Sequence, residues 1–307
     1  MTSYTPEALN ALAALGKPAI GQADSLYESG LLSAAQKIAQ KADSCPIILL
    51  SGPSGSGKTT TAHKLEKYLD NMGHEAHTVP MDNYFYRRED GVLPLDEEGK
   101  HDLESPLNLD MELFARHTAM MAEGKKVDMP TFDFANQRRS DVTVPIKRKQ
   151  GEIIIFEGIH ALNPDVLPDQ SFSQRIYICP DAGIELDGES ITQQHIRLLR
   201  RLMRDKTHRG SSFENTLRKF KSVCRGERLF IDPYKDSADI FINTFVPYEL
   251  NVYASVLRGS LSGIEDTLLE QTGADKLMKL LDKLTPIAVQ DISPDALIQE
   301  FLGRANS

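Results

Sequence analysis

Five short apolar runs punctuate the chain, at 46–51, 75–81, 152–157, 175–180 and 238–243, most of them rich in Ile and Val. Each is long enough for a strand buried on both faces, and stretches with helical spacing separate most of them. That alternation predicts an α/β fold: a parallel sheet of about five strands with crossover helices. Ahead of the first run, residues 1–44 are rich in Ala, Leu and Gln, and "SLYESGLLSAAQKIAQKA" carries its apolar positions at helical spacing. We expect an N-terminal helical segment there, a main domain over 45–260, and further helices over 261–307 ("KLMKLLDKL", "SPDALIQEFL") packed on that domain. The stretch 82–106 is polar, holds Gly, Pro and many carboxylates, and is long for a connection. Loops of that length usually carry function or are disordered.

Composition narrows the class. The 307 residues are 40% hydrophobic and 26% charged, as in soluble globular proteins. Acidic residues outnumber basic ones by 44 to 35, a formal charge of −9, which argues against a general binder of nucleic acid or anionic membrane while leaving room for a local basic pocket. No apolar stretch nears the ~18 residues of a membrane span, and the N-terminus lacks a charged-then-apolar leader pattern. Cys45, Cys179 and Cys224 are odd in number, far apart and without metal spacing, so they read as free thiols of a cytoplasmic protein.

The chemistry begins at Leu49–Thr60, "LLSGPSGSGKTT", straight after the first apolar run. Gly52, Gly57, Lys58 and Thr59 fit G-x-x-x-x-G-K-[ST], following an expected strand and opening an expected helix. Glycines let the backbone N–H groups of Gly52, Ser54, Gly55, Ser56, Gly57, Lys58, Thr59 and Thr60 turn inward on a phosphate, and the helix N-terminus adds positive potential. Lys58 would reach the β- and γ-phosphates of a nucleoside triphosphate, and the Thr59 hydroxyl would ligate magnesium. Glu157 ends the run in "GEIIIFEGIHALNP", where a strand-end carboxylate faces the ligand crevice and suits a magnesium or water-mediated role. Asp82, in "VPMDNYFY", follows the second run and could accept the proton of an attacking hydroxyl, help hold magnesium, or cap a turn. In "HIRLLRRLMRDKTHRG", Arg197, Arg200, Arg201 and Arg204 fall at i, i+3, i+4 and i+7 on one helix face, with Arg209 just beyond. Such a face is ordinarily solvated; beside a phosphate loop it reads as a lid that stabilises a transferring phosphoryl group.

Taken together, "GPSGSGKTT", "MDNYF", "MPTFDFANQRR", "IIIFEGI", "RLLRRLMRDKTHRG" and "DPYKDSADIFINT" resemble the uridine kinase and phosphoribulokinase family of P-loop kinases, in the family's order from about Ile47 to Thr244. "SPLNLDMELF", "IHALNP" and "LIQEFLG" resemble a bacterial uridine-kinase-like branch, often fused to an N-terminal segment like those of threonyl-tRNA synthetases; the kinase is expected here without that segment. The resemblance implies a P-loop kinase fold with an arginine-bearing helical lid. It implies Asp82 as general base, Glu157 as an organiser of magnesium, and Arg201, Arg204 and Arg209 on the phosphates. It also implies Glu104 on ribose hydroxyls and Arg139 in an acceptor pocket that includes Tyr84, Phe132 and Gln137. Four positions depart from well-known uridine kinases: Phe132 replaces a tyrosine, Gln137 the base-reading histidine, Ser211 an arginine after the lid glycine, and Glu104 an aspartate. The phosphate half of the site is kept and the base-reading half rewritten.

The resulting expectation is a cytoplasmic kinase using ATP (or GTP) and magnesium on the 5′-OH of a pyrimidine nucleoside, without nucleic-acid or membrane partners. A kinase of another sugar or small alcohol, and a nucleotide-binding regulator with little turnover, are the alternatives. Members of the family are often oligomeric, so a homo-oligomer belongs with these expectations.

Overall fold

The computed structural model describes residues 2–86, 94–133, 136, 138–208 and 210–303. Its strands are β1 (Thr2–Tyr4), β2 (Ile47–Ser51), β3 (Ala76–Pro80), β4 (Lys126–Asp133), β5 (Arg138–Lys147), β6 (Ile153–Glu157), β7 (Ser173–Cys179), β8 (Ala182–Leu186), β9 (Glu189–Ile191) and β10 (Ile240–Asn243). Its helices are α1 (Pro6–Ala14), α2 (Lys17–Ala39), α3 (Lys58–Asn71), α4 (Met111–Ala122), α5 (Gln193–His208), α6 (Phe213–Phe230), α7 (Glu249–Leu257), α8 (Asp266–Thr272), α9 (Ala274–Lys283) and α10 (Gln299–Leu302).

The five apolar runs become the five parallel strands of the central sheet, ordered β10-β7-β2-β6-β3. The central strand β2 is buried at every position, as a parallel strand covered on both faces must be. Its side chains alternate between two cores. Ile48 and Leu50 face the larger one, built with α2, α3, α5, α7, α9 and α10, and Ile47 and Leu49 face the smaller one around α4 and Phe156.

Helix α3 forms because Thr61, Leu65 and Leu69 recur at i, i+4 and i+8 on its core side. It ends where Gly73 takes a φ of 89° and the His74 N–H bonds back to Leu69 O at 3.0 Å. The N-terminal helices lie on the same core, where Tyr27 Oη and Thr61 Oγ1 meet at 2.8 Å.

Sequence patterning missed the peripheral strands. Thr2–Tyr4, expected as part of a helical segment, instead forms β1 and pairs in parallel with β8, whose other edge pairs with β9. The antiparallel hairpin β4–β5 is largely exposed along β5, so no apolar run announced it. Among the described residues no helix is long and apolar enough to cross a membrane.

Candidate active site

Sheet topology assembles the site. Strands β2, β6 and β3 are neighbours, with Leu50 opposite Glu157 and Glu157 opposite Pro80, so their C-terminal ends lie side by side. The loop after β2, Glu157 at the end of β6 and Asp82 just past β3 therefore meet at one sheet edge.

Two glycines are required by geometry in the loop Gly52–Gly57. A Cβ at Gly52 would overlap the Ile178 carbonyl of β7, and Gly57 caps α3 with a φ of 90° while its missing Cβ would sit 2.9 Å from Leu297 Cδ1. Lys58 folds back over the loop, donating from Nζ to Gly52 O at 2.9 Å and Pro53 O at 3.2 Å. Burial lowers its pKa, with the Glu157 carboxylate opposing. Among the described residues the buried Ser56 Oγ has no hydrogen-bond partner. A backbone cradle, a lysine at its mouth and an orphaned hydroxyl fit a bound polyphosphate.

Beside the cradle, Thr59 Oγ1 donates to Glu157 Oε1 at 3.2 Å. Burial raises the Glu157 pKa; Lys58 lowers it and the nearby charge of Asp82 raises it further. Hard oxygen donors with two carboxylates within electrostatic reach suit magnesium, which would relieve that repulsion.

The arginines of α5 divide in two. The face predicted from their spacing points inward rather than to solvent: Arg197 and Arg200 are fully buried, and Arg201 is 7% exposed. Arg197 pairs with Glu227 and donates to Ser54 O at 3.0 Å. Arg200 forms a two-pronged pair with Glu249 at 2.8 and 2.9 Å and donates to Gly55 O at 3.2 Å. Both therefore brace the phosphate loop from behind. Arg201 and Arg204 reach forward to Ser54 Oγ, the latter at 3.5 Å. Arg209 and Gln137 lie outside the described residues.

On the acceptor side a cavity of about 1310 Å³ opens, lined among others by Ser54, Asp82, Phe85, Glu104, Phe132 and Arg201. Phe85 and Phe132 meet edge to face, their ring centroids 5.6 Å apart. The Glu104 loop is held on α6 by an Asp102–Arg225 ion pair of 2.6 Å. It lies so close there that any side chain at Gly226 would overlap Glu104. Burial raises the Glu104 pKa, and Arg201 partly offsets this.

Two expected acceptor contacts are corrected. Tyr84 is buried, packed edge-on against Phe114 at 5.1 Å, with its hydroxyl 3.3 Å from His117 Nδ1. The short helical turn Met81–Tyr84 points it into the core, and its neighbour Phe85 faces the cavity. Arg139 commits its guanidinium to protein, donating to Phe85 O at 3.1 Å, Tyr84 O at 2.8 Å and Asp110 Oδ2 at 2.9 Å. It fixes the Asp82–Tyr86 segment from outside the cavity. Ser211 sits in the turn between α5 and α6, its N–H on Asp205 O at 3.0 Å and its Oγ accepting from Asn215 Nδ2 at 2.9 Å. Sequence reasoning also missed buried His160, whose pKa burial pushes down to about 4, and Glu300, whose Oε2 accepts from the Thr60 N–H at 3.1 Å.

A glycine loop between a central parallel strand and the helix after it, with an acid on the adjacent strand end, defines a phosphate-loop kinase fold. Residues 47–249 match the Phosphoribulokinase / Uridine kinase family, and the chain belongs to that family. It is similar to a protein named uridine kinase from Staphylococcus aureus (strain JH9), 36% identical over 197 residues that span 64% of this chain and 86% of the relative. In fold it is similar to a solved structure from Silicibacter sp. TM1040 provisionally named a fructose transport system kinase. The TM-score is 0.52 at 20% identity, over 69% of this chain and 98% of the other.

Proposed function

We propose that this kinase transfers the γ-phosphoryl group of ATP to the 5′-OH of a pyrimidine nucleoside. The observation that carries the reading is the placing of Asp82 on the cavity wall with Ser54 and Arg201, next to the Thr59–Glu157 pair. An acceptor hydroxyl in the cavity thus has a carboxylate on one side and the phosphate cradle on the other. Asp82 takes the hydroxyl proton as the oxygen bonds to the γ-phosphorus and the bond to the β,γ-bridging oxygen breaks, releasing ADP. Lys58 exchanges its loop carbonyls for phosphate oxygens, and Arg201 and Arg204 turn from Ser54 to the charge spread over the transferring group. Thr59 and Glu157 would hold magnesium, which would supply positive charge to the phosphates.

The Phe85–Phe132 pair favours a planar ring in the acceptor over a sugar alone, since a flat base gains contact on an aromatic wall. The uridine kinase relative supports the same choice. The test is ADP release with nucleosides, free sugars and small alcohols offered one at a time. Turnover with uridine or cytidine supports the proposal. Turnover with a sugar or alcohol alone replaces the acceptor, and no turnover with any acceptor leaves the regulator reading.

A further inference from the structure

The Thr60 N–H lies in the first turn of α3, among the donors that a phosphate loop presents to its ligand. Here it is taken by Glu300 Oε2 at 3.1 Å, a contact 240 residues apart in sequence and therefore no local helix cap. The segment carrying Glu300 is anchored. Leu297, Ile298 and Phe301 are buried, Leu297 lies against Gly57, and the Phe301 ring sits 5.0 Å from the Arg200 guanidinium. The Phe301 carbonyl accepts from Thr207 Oγ1 at 3.3 Å, tying α10 to α5. The backbone is thus fixed by apolar burial, whereas the Glu300 side chain is only partly buried and can turn. Its charge also acts on Lys58 and on Glu157, the two groups on either side of the expected phosphates.

We propose that Glu300 is an internal anion of the nucleotide site: its carboxylate holds the Thr60 amide until a phosphate oxygen of the nucleotide takes that donor. Two anions crowded on one N–H at a helix N-terminus repel each other, so they compete for it. Nucleotide binding therefore includes turning Glu300 away, and that cost sets a ceiling on affinity. The inference rests on the nucleotide-site reading above.

The test uses the full chain and MgATP, titrated calorimetrically without acceptor. Glu300→Gln keeps the side chain's shape and removes its charge, and binding is expected to tighten about ten-fold, equivalent to about 1.4 kcal/mol. The nucleotide KM falls in parallel, and the Thr60 amide exchanges faster in the nucleotide-free variant. Glu300→Asp, shorter by one methylene, tightens binding by a smaller factor and guards against a local folding defect in the first variant. Unchanged or weaker ATP binding in Glu300→Gln overturns the proposal. Lys58→Ala, measured alongside, separates the two levels: if it binds ATP as the wild type does, the nucleotide site itself is wrong and both readings fall. If it loses binding while Glu300→Gln is unchanged, only the role of Glu300 falls.

Discussion

Arg200→Met is the substitution whose cost can be sized from contacts. The guanidinium is fully buried between the phosphate loop, the end of β10 and α7. Besides the pair with Glu249 and the bond to Gly55 O, it donates to Thr244 O at 2.7 Å and Thr244 Oγ1 at 3.3 Å. Methionine fills much of the volume and makes none of these bonds. Glu249, itself buried, is left with the Tyr253 hydroxyl at 3.1 Å and the Val246 N–H at 3.3 Å. Breaking a buried pair from one side costs about 3–5 kcal/mol. An exposed pair such as Arg218–Glu214, 2.7 Å apart on α6, is worth about 0.5 kcal/mol. With an unfolding entropy of about 2.1 cal/mol/K per residue over 307 residues, the larger loss lowers Tm by roughly 5–8 °C. Scanning calorimetry of wild type, Arg200→Met and the double variant Arg200→Met/Glu249→Gln makes the measurement. The double variant should recover part of the loss, because it no longer buries an unpaired charge. An Arg200→Met protein melting within about 1 °C of the wild type would refute the assignment of Arg200 to structural bracing.

Further expectations follow from the same geometry. Asp82→Asn should keep ATP binding and lose about 10²–10⁴-fold in kcat, the usual range for a general base; near-normal kcat at saturating acceptor removes Asp82 from that role. Arg204→Ala should lower kcat more than ATP affinity and leave Tm within about 1 °C, the reverse of Arg200→Met; loss of affinity alone would make it a ground-state contact. Because burial and Asp82 raise the Glu157 pKa, protons compete with magnesium at a higher pH than for an ordinary glutamate. The magnesium concentration for half-maximal activity should accordingly rise as pH falls, and Glu157→Gln should flatten that rise; a pH-independent requirement in the wild type counts against Glu157 as a ligand.

What could be read from the chain follows from how local each constraint is. The phosphate loop was legible because backbone demands dictate its residue types: Gly52 must clear the Ile178 carbonyl and Gly57 must hold a positive φ at the helix cap. The positions of Asp82 and Glu157 were legible because strand ends can be located from apolar runs, and ends of parallel strands share an edge. The direction of the α5 face was not legible. Spacing defines a face, but its burial depends on Glu227 and Glu249, 30 and 49 residues away from the arginines they neutralise. Tyr84 was misplaced because one step around a helical turn separates core from cavity, and two adjacent aromatics carry no local sign of which faces where. Arg139 was misread for a similar reason: its partners Asp110, Tyr84 and Phe85 lie 29, 55 and 54 residues off, on elements the hairpin meets only in three dimensions.

The split within α5 also bears on how the site works. Arg197 and Arg200 hold the carbonyls of Ser54 and Gly55, two consecutive residues of the phosphate loop, from the buried side. Pinned carbonyls fix the peptide planes they belong to, and so fix the next N–H groups that point toward a ligand. The same helix turns Arg201 and Arg204 toward Ser54 Oγ, at the front of that loop. Donors fixed before substrate arrives do not have to be organised during the reaction, which is where electrostatic stabilisation of a phosphoryl group gains most of its effect. On the proposed function, the inner arginines would serve catalysis only by holding the loop still, and the outer ones only if the helix stays docked. Disturbing Glu227 or Glu249 should loosen both at once, although neither carboxylate is among the residues lining the cavity.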